Sequence, residues 1–261
     1  MAATNSILQP VTGRGWRRGL GNLLAHELHK WWGTRRWLLQ MLIWILLINA
    51  FSALTETSGS GVGLVEMFFL MGVVLTMAGA AISAQGIIIQ ERQLGTTAWV
   101  MSKPVSRSAF ILAKLLGHAS GFLVVAVLVP TIVFEGQLYL TSGRPLALPG
   151  LLAAAGVWAL GVLFYLALTI MLGTFFRARG AVLGIPLLFI VIGGTPVAAL
   201  VPALPMIMPW MLPGIALTLA LGPLAPEAPP AMAAIVPVVA TALWTVIFTA
   251  VAIWRFGREE F

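Results

Sequence analysis

Six runs of about 20 predominantly apolar residues, each long enough for a membrane-crossing helix, set the solvent in which this chain must fold. They are Trp37 to Leu54, Gly63 to Ile89, Ala109 to Phe134, Leu151 to Phe175, Ala181 to Val201 and Ala234 to Trp254. Strands of a membrane barrel would instead show about ten residues of alternating polarity between turns. With 60% hydrophobic residues, 9% charged residues and a mean hydropathy of +1.00, the chain has too little charge to cover a water-soluble domain. The sequence predicts an all-α polytopic membrane protein with six transmembrane helices.

Basic residues set the expected orientation, because Lys and Arg in short loops stay on the cytosolic side. With the N-terminus inside, all but one of the 15 Lys and Arg fall in cytosolic segments, and Arg144 alone is outside. Both termini are then cytosolic, and the expected location is the cytoplasmic (inner) membrane. The net charge of +7 reflects this topology and an attraction to anionic lipid. No soluble basic domain is present to carry nucleic acid, so none is expected as a partner. The chain has no cysteine, which excludes disulfides and thiolate metal sites. Residues 1 to 16 are polar and lack the apolar core of a signal peptide, leaving the first span as the targeting element.

The segment RRGLGNLLAHELHKWW, Arg17 to Trp32, places Leu20, Leu23, Leu24, Leu28, Trp31 and Trp32 at helical spacing, with Arg17, Arg18, Asn22, Glu27, His29 and Lys30 assigned to the other side. Such a helix suits the headgroup plane, or alternatively a face of another subunit. His26 and His29 lack a third ligand nearby and are expected to be surface histidines; no metal site is expected. The loop Thr55 to Val62 lacks the strand and spacing of a nucleotide fingerprint and suits a hairpin tip. Glu66 begins about 5 Å into its span, at a rise of about 1.5 Å per residue, and is expected to reach the outer headgroups. Gln85, near the inner end, is placed to bond an adjacent helix.

Between the second and third spans lies a charged island, QERQLGTTAWVMSKPVSRSAFILAK, from Gln90 to Lys114. Gly95 loosens the chain after Glu91 and Arg92, and Thr96 or Thr97 is expected to cap a short helix through Val100 or Met101. Lys103, Pro104 and Val105 impose an extended turn, after which Ser106 caps the third span and Arg107 and Lys114 anchor its inner end. The plainer alternative is an ordinary anchored loop.

The island resembles the signature of type-2 ABC exporter permeases, in which a Glu, a Gly-Thr pair and a Ser-x-Pro-x-Ser-Arg turn recur between the second and third spans. Here these are Glu91, Gly95 with Thr96, and Ser102 to Arg107. The resemblance extends to the N-terminal amphipathic helix, the six spans and the short tail. It implies a membrane subunit that pairs with a second copy or a homologue and docks two ABC ATPase subunits, which would hold ATP and Mg. It also implies that Thr96 to Met101 is a coupling helix and that Glu91, Arg92, Gly95, Thr96, Thr97, Lys103 and Arg107 are candidate ATPase contacts. The chain contains no G-x-x-x-x-G-K-[ST] run, so a permease of this kind needs its ATPase from another polypeptide. No catalytic residue and no cofactor of its own is expected.

Between spans five and six, residues 202 to 230 include an apolar stretch, Met208 to Gly222, that is short and interrupted by proline. It suits a re-entrant or interfacial helix pair on the external side; similar elements cap the outer exit in the resembled family. A seventh span is the alternative, and it would place Arg255 and Arg258 outside. Pro186, Gly193, Gly194 and Pro196 mark span five as kinked or locally unwound, a possible gate or hinge or simply a packed kink. Gly117 with Gly121, and Gly180 with Gly184, permit close helix approach.

The organisation expected is a cytosolic tail and interfacial helix over residues 1–36, a six-span domain over 37–254 with its island at 90–108, and a cytosolic tail over 255–261. The favoured function is an ATP-driven export permease for an amphipathic, lipid-like, drug or peptide substrate. A stand-alone ion-coupled carrier or channel is the alternative. It calls for ionisable groups at mid-membrane, whereas Glu66 and His118 lie near span ends. An intramembrane enzyme is weaker still, since aspartate is absent and the three histidines lie toward the cytosolic side.

Overall fold

A computed structural model describes residues 15–55, 61–193, 200–201, 203–222 and 231–259. The described residues form helices and short connections. These are α1 (Leu20–Trp32), α2 (Arg36–Leu54), α3 (Val62–Gln93), α4 (Thr96–Met101), α5 (Arg107–Ser142), α6 (Leu148–Phe175), α7 (Arg179–Gly193), α8 (Pro209–Leu221) and α9 (Ala231–Gly257). By length and composition, α2, α3, α5, α6 and α9 are able to cross a membrane. The described part of the fifth apolar run, α7, has 15 residues, a rise of about 22 Å. Gly194 and Pro196 lie outside the described residues, as does most of the loop after Thr55.

Helix α5, the third span, runs past its apolar stretch, to Ser142 rather than Phe134, because Glu135 and Gln137 end the hydrophobic run without opposing helix formation. Distortions also fall where the sequence reading did not put them. Helix α7 is continuous through Pro186, whereas α2 and α5 contain π-helical segments at Leu46–Ala50 and Val124–Leu128. The second precedes Pro130, which has no N–H for the Ala126 carbonyl. A wider turn there lets the freed backbone re-pair.

Helix α6 is the centre of the bundle: 61% of its most apolar stretch is buried, against 17% for α2 and 11% for α9. Around it, Phe68 of α3 stacks on Phe134 of α5 with centroids 3.8 Å apart and meets Trp158 of α6 edge-on at 5.4 Å. The Trp158 indole N–H donates to Thr76 Oγ1 at 2.6 Å, and that hydroxyl donates to the Gly72 carbonyl at 2.8 Å. The polar atoms of this aromatic core are therefore satisfied, as burial requires.

Helices α7 and α8 meet halfway along α6. Phe189 of α7 packs on Phe164 and Tyr165, and its carbonyl accepts from the Trp210 indole at 2.9 Å. From there α8 runs antiparallel to the first half of α6, with Leu212 against Gly161 and the Leu219 carbonyl against Gly150. Long-range bonds from the ends of α3 and α5 to the end of α9 gather the island, the α6–α7 connection and the tail at one end of the bundle. By connectivity every described Lys and Arg except Arg144 belongs to this basic end.

Candidate functional site

The basic end is built on a close contact between α1 and α5. Positions 19, 23, 27 and 31 of the N-terminal segment recur every four residues, so they form one edge of a helix. Gly19 sits on Val105, Glu27 on Gly117 and Trp31 on Gly121. A Cβ at Gly117 would lie 2.5 Å from that of Glu27, and a Cβ at Gly121 would overlap the Trp31 ring. The Gly117/Gly121 pair thus receives α1, and this contact needs residues without side chains.

This corrects the assignment of Glu27 to the polar side of α1. At 100° per residue it falls between Leu23 and Trp31, inside the apolar stripe, and it is 3% exposed. A carboxylate there needs a buried partner, and Lys114 of α5 provides it: Nζ donates to Glu27 Oε1 at 2.6 Å and to Glu91 Oε1 from the other side. Lys114 itself is 4% exposed. Three helices are thereby tied at one point, α1 through Glu27, α3 through Glu91 and α5 through Lys114. Sequence reading treated Lys114 as a span anchor and missed the triad; the position of Glu27 on the helix was the available signal. His26 and His29 are exposed, as expected of surface histidines.

Glu91 also accepts from the Thr96 hydroxyl through its side chain and, at 3.1 Å, through its carbonyl. The chain between them reverses at Gly95, whose φ of 68° is a left-handed conformation that glycine adopts without strain. Gly95, and neither threonine, occupies the N-cap of α4; Thr96 is turned back to Glu91, and Thr97 is buried with no partner for its hydroxyl. Ser106 does cap α5, accepting from the Ala109 N–H at 3.1 Å. Its own hydroxyl and that of Ser108 donate to the Trp16 carbonyl, so the segment before α1 is pinned to the start of α5.

Two arginines fasten the island to the tail. Arg92 donates to the carbonyls of Gly173 at 2.8 Å and Thr174 at 3.0 Å, which end α6, and to the carboxylate of Glu259. Arg107, on the other side of α4, donates to the Gly257 carbonyl at the end of α9. Of the seven residues singled out in the island, Glu91, Arg92, Thr96, Thr97 and Arg107 therefore face inward. Lys103 and Gly95 face outward.

Two large apolar residues outside that group are also exposed: Leu94 is 76% exposed and Trp99 63%. The Lys103 ammonium lies 3.4 Å from the Trp99 ring centroid and holds the indole. At the other candidate position, Pro186 is buried within α7, and Gly193 abuts the Trp210 ring so closely that a Cβ would overlap it.

No curated relative matches the sequence. The model of the ABC-2 family transporter proteins matches residues 43–261, from within α2 through the island to the tail. This chain therefore belongs to the ABC-2 family, as a multi-pass membrane permease subunit that is not itself the ATPase.

Proposed function

We propose that this chain is the permease subunit of an ATP-driven exporter, pairs with a second copy or a homologue, and docks two ABC ATPase subunits, which hold ATP and Mg, at its basic end. That end faces the cytosol, so both termini are inside the cytoplasmic membrane, as retention of Lys and Arg favours. The observation that carries this reading is α4 itself. It is a six-residue helix linked to α1, α3 and α5 through Thr96, Glu91, Lys114 and Glu27, and with Leu94 of the preceding turn it presents Trp99 to a partner. A push on α4 has a direct polar route into three helices.

At the other end of the path, α7 belongs to a sixth span, and α8 is the re-entrant arm of an external cap. The contact of Leu212 with Gly161 and of Leu219 with Gly150 supports a helix that enters to mid-depth. Trp210, bonded to the Phe189 carbonyl and packed on Gly193, is the element that tilting of α7 would displace. Pro186, Gly193, Gly194 and Pro196 form the hinge region. The cargo is amphipathic, a lipid-like, drug or peptide molecule, moved by alternating access; the apolar spans favour it over a bare ion.

The test is recovery of a P-loop ATPase with the affinity-purified full chain from its native membrane, comparing wild type with Trp99→Ala. An exposed tryptophan anchor is worth about 2 kcal/mol or more in a protein interface, so recovery should fall by roughly 30-fold, with the variant eluting at the wild-type volume. Equal recovery from both proteins sinks the assignment of α4 as the docking element.

A further inference from the structure

Beside α4, on the side away from the Glu27–Lys114–Glu91 triad, the basic end holds a cavity of about 730 Å³. Four segments supply its guanidinium groups: Arg92 from the end of α3, Arg177 from the α6–α7 connection, and Arg255 and Arg258 from the end of α9 and the tail. Among the described residues, the only carboxylate lining it is that of Glu259, and this already accepts from Arg92. Among the described residues, three arginines thus border a hollow with no anion assigned to them. The guanidinium of Arg258 stacks 4.3 Å from the Trp254 ring and that of Arg255 lies 5.7 Å from the Phe175 ring. These contacts orient the groups without neutralising them.

A second observation points to a ligand independently of charge. Thr97, 2% exposed, lines the same cavity, and its buried hydroxyl has no hydrogen-bond partner. Most buried hydroxyls are paired, and a helical threonine ordinarily turns its hydroxyl back to its own helix. An acceptor in the cavity would satisfy it.

We propose that this cavity binds the phosphate of an anionic phospholipid headgroup, with Arg177, Arg255 and Arg258 as its cationic walls and the Thr97 hydroxyl as a neutral donor. Guanidinium forks suit phosphate oxygens in geometry as well as charge. A lipid is favoured over an acidic protein segment because the walls are the ends of the apolar helices α6 and α9, and the aromatic side chains Phe175 and Trp254 stand at that level, where a bilayer has its headgroups. A lipid seated there would touch α4, the α6–α7 connection and the tail at once, so the composition of the leaflet would bear on the element proposed to meet the ATPase. The site needs only that the basic end lies at a leaflet surface; it does not depend on the ATPase reading.

The test uses the purified full chain without any ATPase. Retention of phosphatidylglycerol against phosphatidylcholine is measured by native mass spectrometry, and the thermal shift on adding each lipid is measured in parallel, with inorganic phosphate as competitor. Wild type should retain phosphatidylglycerol selectively. The triple variant Arg177→Gln, Arg255→Gln, Arg258→Gln should lose about tenfold or more of that retention, since each basic residue near an anionic surface contributes substantially. A control triple of equal charge loss, Arg17→Gln, Arg35→Gln, Arg36→Gln, should keep it within about twofold, because these residues do not line the cavity. Thr97→Val should remain as heat-stable as wild type in phosphatidylcholine yet lose most of the added stabilisation by phosphatidylglycerol. Equal loss in both triples, no lipid preference in wild type, or full displacement by inorganic phosphate overturns the proposal. So does a cavity triple that keeps its lipid but no longer recovers an ATPase from membranes, which would assign the arginines to the protein partner.

Discussion

The two sides of α4 use charge in opposite ways. On one side Lys114 is buried between Glu27 and Glu91, and every helix that approaches contributes a charge to the balance. On the other, Arg177, Arg255 and Arg258 surround a cavity whose one described carboxylate is already engaged by Arg92. Burying a charge is costly unless it is paired, so the first side is a joint that must stay closed for the helices to remain together. The second keeps its arginines partly solvated and can leave them unpaired until something arrives. A short helix thus lies between a closed joint and an open basin.

The sharpest way to break this comparison is to remove one charge from each side. Lys114→Met leaves Glu27 buried and Glu91 half-buried without a counter-charge. Removing one partner of a buried pair typically costs about 3–5 kcal/mol. The expected outcome is loss of the monodisperse peak in size-exclusion chromatography in mild detergent, partly restored by adding Glu27→Gln. Arg258→Gln, on the open side, should shift thermal stability by no more than about 0.5 kcal/mol, as surface changes usually do. Similar costs at the two positions would remove the distinction between joint and basin.

The next effect in size lies in the packing that brings Glu27 to Lys114. Gly121→Leu places a branched side chain where the Trp31 ring lies. Overpacking of this kind costs about 1–3 kcal/mol. Helix α1 should lift from α5, read as faster amide hydrogen exchange over residues 20–32 with unchanged exchange in the Phe68–Phe134–Trp158 core. If exchange in α1 does not change, the helix is held by something other than the glycine contact.

What was legible in advance follows the same division. The apolar runs announce the helices because lipid imposes a length and a composition on anything that crosses it, and the ends of α6 and α9 follow them closely. The turn at Gly95 and the Ser106 cap are local chemistry, readable from neighbouring residues, whereas the cap expected of Thr96 or Thr97 falls to Gly95. The triad was half-legible: Glu27 stands inside an apolar stripe, which demands a partner, but nothing in the sequence says which cation answers. The clasp of Arg92 to Glu259 spans 167 positions, and no local pattern encodes a contact of that separation. Leu94 and Trp99 were overlooked for another reason: apolar residues in an island chosen for its charges read as filler until the structure leaves them exposed.

The smallest expected effect sharpens the outward edge of α4. Lys103 lies over the Trp99 ring, an exposed cation–π contact worth about 0.5–1 kcal/mol. Lys103→Met removes the cation while keeping an unbranched chain of similar reach, so thermal stability should hardly change. If the lysine serves to hold the indole ready for a partner, ATPase recovery should fall by about two- to fivefold, the equivalent of that contact. This is well short of the loss expected from Trp99→Ala, and combining the two changes should add nothing to it. A double variant much weaker than Trp99→Ala alone would mean that Lys103 meets the partner directly, and the outward edge of α4 would then be an electrostatic contact as well as an aromatic one.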